Sequence, residues 1–231
     1  MTTAFISDIH GNHEALKSVL SRIDAMGITR ITCAGDVAGY YSEVNACCDT
    51  LRARGIPTVM GNHDWYLGGG GNCLRSRSVN DCLHYQRRII TSDNLLWLRQ
   101  LPLQLDADGV RVVHGGWSDP LDEYLKPSAE YFAALEGRHF LSGHTHLPCV
   151  HRYGYKVYCN PGSVGQPRDG DPRAAFAVFD GIHFEIHRVD YDYRKVFALM
   201  DAAGFNDYYY GGLVTGARNL RRLADNEEPQ I

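Results

Sequence analysis

Two textures alternate along the first quarter of the chain. Short apolar runs stop at polar, glycine-flanked clusters, and longer segments follow in which apolar residues recur at helical spacing. "TAFISDIH" (3–10) reads as a strand. "NHEALKSVLSRIDAMG" (12–27) reads as a helix, with Leu16, Val19, Leu20 and Ile23 on one face and Gly27 as its stop. "ITRITCAGD" (28–36) is a second strand. "SEVNACCDTLRARG" (42–55) is a second helix, capped by Ser42 and ended by Gly55, and "IPTVMGNHD" (56–64) is a third strand. This βαβαβ rhythm predicts parallel strands joined by helical crossovers. In open α/β sheets ligands collect beyond the carboxyl ends of the strands, where each polar cluster of this half falls.

Farther along the rhythm changes. "LGGGGN" (67–72) lacks the Gly-Lys-Ser/Thr ending of a phosphate loop and is expected as a mobile loop at the rim of a site, with an ordinary surface loop as the alternative. Residues 79–101 read as two helical segments, the second starting near Ser92 or Asp93. "LQLDADGVRVVHGG" (103–116) reads as two strands around an Asp108-Gly109 hairpin turn. A short helix in "PSAEYFAALEG" (127–137) and a strand in "RHFLSGHTH" (138–146) follow. Alternating strands then cover 150–163 and 174–191, with a turn at Asp180-Gly181. Residues 191–203 and 211–223 read as helical, and the last eight residues as a frayed polar end. No internal repeat or linker divides the chain, so one domain over 1–231 is expected.

Composition narrows the classes. A net charge of −4, from 23 basic and 27 acidic residues, argues against broad nucleic-acid binding. It leaves a small phosphate-bearing substrate open, because bound cations reverse the local field. No apolar run reaches the roughly 18 residues of a membrane span, and "MTTAFISDIH" has no basic leader region. The seven cysteines are odd in number and form no CxxC pair, which reads as reduced core thiols in a cytoplasmic protein.

The candidate chemistry lies in five clusters: "SDIHGN" (7–12), "AGDVAG" (34–39), "GNHD" (61–64), "VVHGG" (112–116) and "SGHTH" (142–146). Asp8 and His10 are one residue apart, as are His144 and His146, so extended backbone would point each pair to one side. Asp36, Asn62 and His114 each end an apolar run beside glycine. Taken singly, Asp8 could cap the next helix, Asn62 could sit in a turn, and His114 could be a hydrogen-bonded structural residue. Taken together, the set of carboxylate, imidazole and carboxamide without thiolate suits Mn, Fe, Zn, Co or Ni, with Mn foremost. It is too large for one ion with open positions and fits two ions sharing a carboxylate.

In this order the five motifs resemble those of the calcineurin-like metallophosphoesterases. "NPGSVGQPRDGDPRAAFAVFD" (160–180) and the "LP" at 101–102 resemble the small bacterial and archaeal phosphodiesterase branch. The resemblance implies an α/β four-layer αββα sandwich, with two mixed sheets flanked by helices. It also implies that Asp8, His10 and His146 hold one divalent metal ion, that Asn62, His114 and His144 hold the second, and that Asp36 bridges them. His63 would be the uncoordinated catalytic histidine, and a hydroxide between the ions would attack phosphorus. Asn12 and Tyr40, just past ligand-bearing strand ends, are candidate substrate contacts. Where the protein Ser/Thr phosphatase branch carries Asp and then Arg, this chain has Gly39 and Tyr40, and Asp64 stands where that branch has Glu. A protein phosphatase is therefore not expected, and the resemblance to the small branch implies phosphodiester hydrolysis. Phosphomonoester or dinucleoside-polyphosphate hydrolysis, and a metal-binding scaffold of the same fold, are the alternatives. A nuclease would need a basic groove, for which Arg75, Arg77, Arg87 and Arg88 are the nearest candidates.

Overall fold

The structure, a computed structural model, describes residues 2–217. Strands β1 (Thr3–Ile6) and β2 (Arg30–Cys33) pair in parallel across helix α1 (His13–Ala25). β8 (Ala174–Phe179) pairs antiparallel on the other side of β1 and turns back into β9 (Phe184–Val189), giving the order β2-β1-β8-β9. The second sheet runs β3-β4-β5-β7-β6, from β3 (Gln104–Ala107), β4 (Val110–Val113), β5 (His139–Leu141), β6 (Cys149–Tyr153) and β7 (Lys156–Asn160). In it β4, β5 and β7 are parallel while β3 and β6 close the edges as hairpins. Both sheets are mixed, and helices flank them, as expected.

The period-2 alternation of the strands sorts their side chains into layers. Phe5, Ala177, Phe179, Val112, Leu141, Val157 and Cys159 fill the space between the sheets. Ala4, Ile6, Phe176 and Val178 face the other way, onto α1 and α2 (Val44–Ala53) through Leu16, Val19, Leu20, Ile23, Cys47 and Leu51. On the outer face of the second sheet, Phe140 and Tyr158 pack on Phe132 of the short α6 (Ala129–Ala133). Helix α7 (Tyr193–Ala202) contributes Val196 and Met200 to a further cluster with Tyr41, Tyr210 and Leu213. All seven cysteines are free thiols. Among the described residues, no helix is long and apolar enough to cross a membrane.

Several expectations change. The segment expected as a third strand keeps only one parallel bridge, Cys33 with Thr58. Pro57 has no N–H to give, the Cys33 amide donates to its carbonyl, and by Met60 the amide has turned to the carbonyl of Pro102. The second helix begins behind Glu43, which makes no side-chain cap, rather than behind Ser42. The glycine run forms a π-helical turn, Tyr66–Gly70, that continues α3 (Asn62–Trp65). Arg87 donates to the carbonyls of Tyr66 and Gly71, and Arg99 to that of Gly68, so the turn is held from α4 (Arg77–Ile89) and α5 (Ser92–Arg99). Of the expected helix at 211–223, the described part forms only a 3₁₀ turn at Gly211–Val214, which follows a short helix α8 (Asp207–Tyr210). Residues 218–231, including the expected polar end, lie outside the described residues.

Candidate metal centre

Five of the candidate donors share an unexpected backbone. Asp8, His10, Asp36, His144 and His146 all have left-handed φ, between 54° and 65°. Extended alternation is therefore not what turns each pair to one side, because β1 stops at Ile6 and β5 at Leu141. Left-handed residues reverse the chain instead, at a cost of order 1–3 kcal/mol each. The crossed bonds of the loops hold them there. The amides of Ile9 and His10 donate to the carbonyl of Asp36, that of Asp8 to Gly35, and that of His144 to the Asp8 carboxylate.

The donors converge in two groups around Asp36. His146 Nε2 lies 3.2 Å from Asp8 Oδ1, and His10 Nε2 lies 3.8 Å from the same oxygen. His114 Nε2 and His144 Nδ1 both lie 3.1 Å from Asn62 Oδ1. Asp36 Oδ2 is 3.6 Å from His10 Nε2 on one side and 3.3 Å from His114 Nε2 on the other. Thus the seven expected ligands meet in one buried place.

The contacts have the chemistry of a cation site. The Nδ1 atoms of His10, His114 and His146 meet the carbonyl oxygens of Ala38, Ala34 and Gln166 at 2.9, 2.8 and 2.6 Å. In the neutral ring, a carbonyl partner fixes the proton on Nδ1 and leaves the Nε2 lone pair exposed. His10 Nε2 and His146 Nε2 then face each other at 3.0 Å, lone pair to lone pair. A shared cation satisfies both. Burial works against ionisation of Asp8 and Asp36, but His146 beside one and His114 and His63 beside the other hold both carboxyls well below their usual range. Burial pushes His10 down and His144 to about 2, keeping their imidazoles neutral. For His114 burial also opposes the charge, yet the Asp36 carboxylate lifts it to about 10. A metal ion at that nitrogen would take over the pull now felt by a proton.

His63 differs. Its Nε2 is 4.0 Å from Asp36 Oδ2, close enough to group with His10 and Asp36, but its buried Nδ1 has no hydrogen-bond partner. No carbonyl aims this ring as the other three are aimed. It is wedged between the rings of His10 and Tyr40, at 4.8 and 5.0 Å, and against Gly39, where an added Cβ would lie 2.2 Å from Nδ1. Burial pushes its imidazole down to about 4, with Asp36 opposing and Arg168 assisting. The backbone of α3 ties it in, since the His63 amide donates to Asp36 Oδ1 at 2.9 Å. Asp64 serves the framework, accepting from the amides of Ala38 and Gly61.

The two expected substrate contacts separate. Asn12 is 1% exposed and caps α1, its Oδ1 accepting from the Ala15 amide while Nδ2 donates to the Gly165 carbonyl. Both ends of its amide are engaged in the framework, so its expected place at the substrate gives way to a cap. Tyr40 does line the cavity over the centre, a space of about 380 Å³ that also meets Asp36, Asn62, His63, His144 and His146. Apart from Arg75, which was weighed only for a nucleic-acid groove, composition and spacing did not single out the other wall residues. Arg168 and Gln166 enter from the loop after β7, and Tyr124 with Arg75 from the opposite side. The former pair sits inside the 160–180 segment, whose signal was a motif and not a role. Arg75 ion-pairs with Asp122 beneath Tyr124, and Arg87 is spent on carbonyls of the π-helical turn. Of the arginines weighed for a nucleic-acid groove, these two are thus engaged by protein groups. Gln86, also missed, holds the Gly39–Tyr41 loop by accepting from the Gly39 amide and donating to the carbonyls of Gly39 and Tyr41.

A family model for the calcineurin-like phosphoesterase superfamily domain matches residues 1–181, and the chain belongs to that family. Among its relatives is MJ0912 of Methanocaldococcus jannaschii, an uncharacterized protein 35% identical over 217 residues, covering 84% of this chain and 89% of that one. Phosphodiesterase YfcE of Escherichia coli K12 is 28% identical over 183 residues, covering 78% of this chain and 88% of its own. The crystal structure of a metallophosphoesterase from Sphaerobacter thermophilus superposes with a TM-score of 0.83 at 30% identity, over 94% of this chain and 99% of that one.

Proposed function

We propose that the chain is a dinuclear-metal hydrolase of phosphate esters that acts on phosphodiesters. The observation that carries this reading is Asp36 Oδ2, set between His10 Nε2 at 3.6 Å and His114 Nε2 at 3.3 Å, with the remaining donors divided on either side. Asp8, His10 and His146 would hold one ion, Asn62, His114 and His144 the other, and Asp36 both. When bound, such ions polarise phosphoryl oxygens and lower the pKa of a water.

The chain's own groups do the rest. The carbonyl-fixed imidazoles set the donor directions, and the left-handed loops hold them without rearrangement. Hydrolysis adds a water oxygen to phosphorus, breaks the bond to the ester oxygen, and requires a proton on that departing oxygen. His63 is the unclaimed imidazole beside the centre. Neutral at rest, it gains proton affinity from a neighbouring anionic phosphoryl group, takes up the proton that the attacking water gives up, and delivers it to the leaving oxygen. Tyr40 packs on its ring and fixes its direction.

One relative supports the diester preference, YfcE being a named phosphodiesterase. The test is turnover of bis-p-nitrophenyl phosphate and p-nitrophenyl phosphate by the Mn²⁺-loaded protein, side by side. Faster turnover of the diester is expected. Faster turnover of the monoester removes the phosphodiesterase reading, and turnover of neither favours the scaffold.

A further inference from the structure

Two arginines line the cavity, and they are not equivalent. Arg75 is neutralised by Asp122. Among the described residues Arg168 has neutral partners only: its Nη2 donates to the Tyr40 hydroxyl at 2.9 Å, its Nε donates to Gln166 Oε1 at 3.1 Å, and the guanidinium lies over the Tyr40 ring at 5.5 Å. No carboxylate stands within ion-pair distance of it among the described residues, and its Nη1 donates to no protein group there. A half-buried guanidinium without a counter-ion bears a desolvation cost that an incoming anion relieves. Its place is next to the chemistry. Tyr40, which carries it, packs on His63 with ring centroids 5.0 Å apart. Gln166, which it also binds, offers its carbonyl to His146.

Given the hydrolase reading above, we infer that Arg168 binds an anionic phosphoryl oxygen of the substrate at the rim of the centre. That oxygen belongs either to the scissile phosphoryl group or to a phosphate attached to it. The planar fork of a guanidinium matches such oxygens in pairs. The cation reaches the Tyr40 side of the centre from the loop after β7, from the far end of the sequence. It thus supplies a charge that the chain lacks locally, where Gly39 and Tyr40 offer none.

A purely structural role predicts something different. If Arg168 only braces Gln166, its loss frees His146 and lowers metal content, without changing phosphate affinity in molecules that stay loaded. The experiment is calorimetric titration of the Mn²⁺-loaded protein with inorganic phosphate and with pyrophosphate, for wild type, Arg168→Met and Arg168→Lys, with metal content measured on each sample. Arg168→Gln, which can still bond Tyr40, replaces the Met variant if that one does not fold. Two Mn²⁺ per chain are expected throughout. Affinity for pyrophosphate, or for both anions, should be weaker by about tenfold or more in the Met variant, the worth of one charge-assisted hydrogen bond, and partly restored in the Lys variant. KM for bis-p-nitrophenyl phosphate should rise more than kcat falls. An equal loss for both anions assigns the oxygen to the scissile group, and a loss for pyrophosphate alone assigns it to the attached phosphate. Phosphate and pyrophosphate affinities within twofold of wild type in fully loaded protein overturn the inference, as does a loss confined to metal content. If neither nitrophenyl ester is hydrolysed but anion binding still depends on Arg168, the hydrolase reading fails and the anion site stands.

Discussion

Asp36 faces both halves of the donor cluster, so its replacement separates a shared carboxylate from an ordinary one. Asp36→Asn is expected to lower occupancy of both metal positions, as measured by elemental analysis. Two tightly held ions in that variant would remove its bridging role. His63 is the converse case. His63→Ala should lower turnover by roughly 10²–10⁴-fold while metal content stays at the wild-type level, and near-normal turnover with ions bound would exclude it as the proton donor. The identities of these residues were legible in the sequence because several polar clusters in one order are far more specific than any one of them. Their backbone was not legible. Asp and His visit left-handed φ more readily than most side chains, but nothing local announces that Asp8, His10, Asp36, His144 and His146 all do so. That follows from loops that bond one another across the sheet ends.

At the scale of elements, apolar period predicted α1, α4, α5 and the two Asp-Gly hairpins, since each is fixed by its own residues. It failed at 56–60, where an apolar run with strand character makes a single bridge. Neighbouring strands decide that outcome, and Pro57 removes a donor. Tertiary ties also decide Asn12, whose polar side chain beside His10 looked like a substrate contact and instead caps the start of α1 and holds the Gly165 carbonyl. Asn12→Ala should therefore cost about 0.5–2 kcal/mol of stability. A lower thermal midpoint with KM unchanged is expected, and a raised KM at an unchanged midpoint would return Asn12 to the substrate. Gln86 carries a larger load, because its loss leaves the Gly39 amide and the carbonyls of Gly39 and Tyr41 without partners. Gln86→Leu should cost about 2 kcal/mol or more and should depress turnover as well, since that loop packs on His63. A urea midpoint equal to that of wild type would refute the tie.

Across the whole molecule, two sheets deliver donors to one centre: the first through the loops after β1 and β2, the second through those after β4 and β5. The inter-sheet core of Phe5, Val112, Leu141 and Cys159 sets the distance between them. Binding of ions to the folded form alone therefore ties the sheets together. Chelation should lower the unfolding midpoint, and readdition of Mn²⁺ at about a hundred times its Kd should return roughly 2.7 kcal/mol. An unchanged midpoint on chelation would mean that the cluster holds no ion in the folded protein. The most direct test is anomalous diffraction from crystals of the metal-loaded protein. Two peaks are predicted, with the Asp36 carboxylate in contact with both, Asp8, His10 and His146 on one, Asn62, His114 and His144 on the other, and His63 on neither. A single peak, or a peak coordinated by His63, would contradict the arrangement.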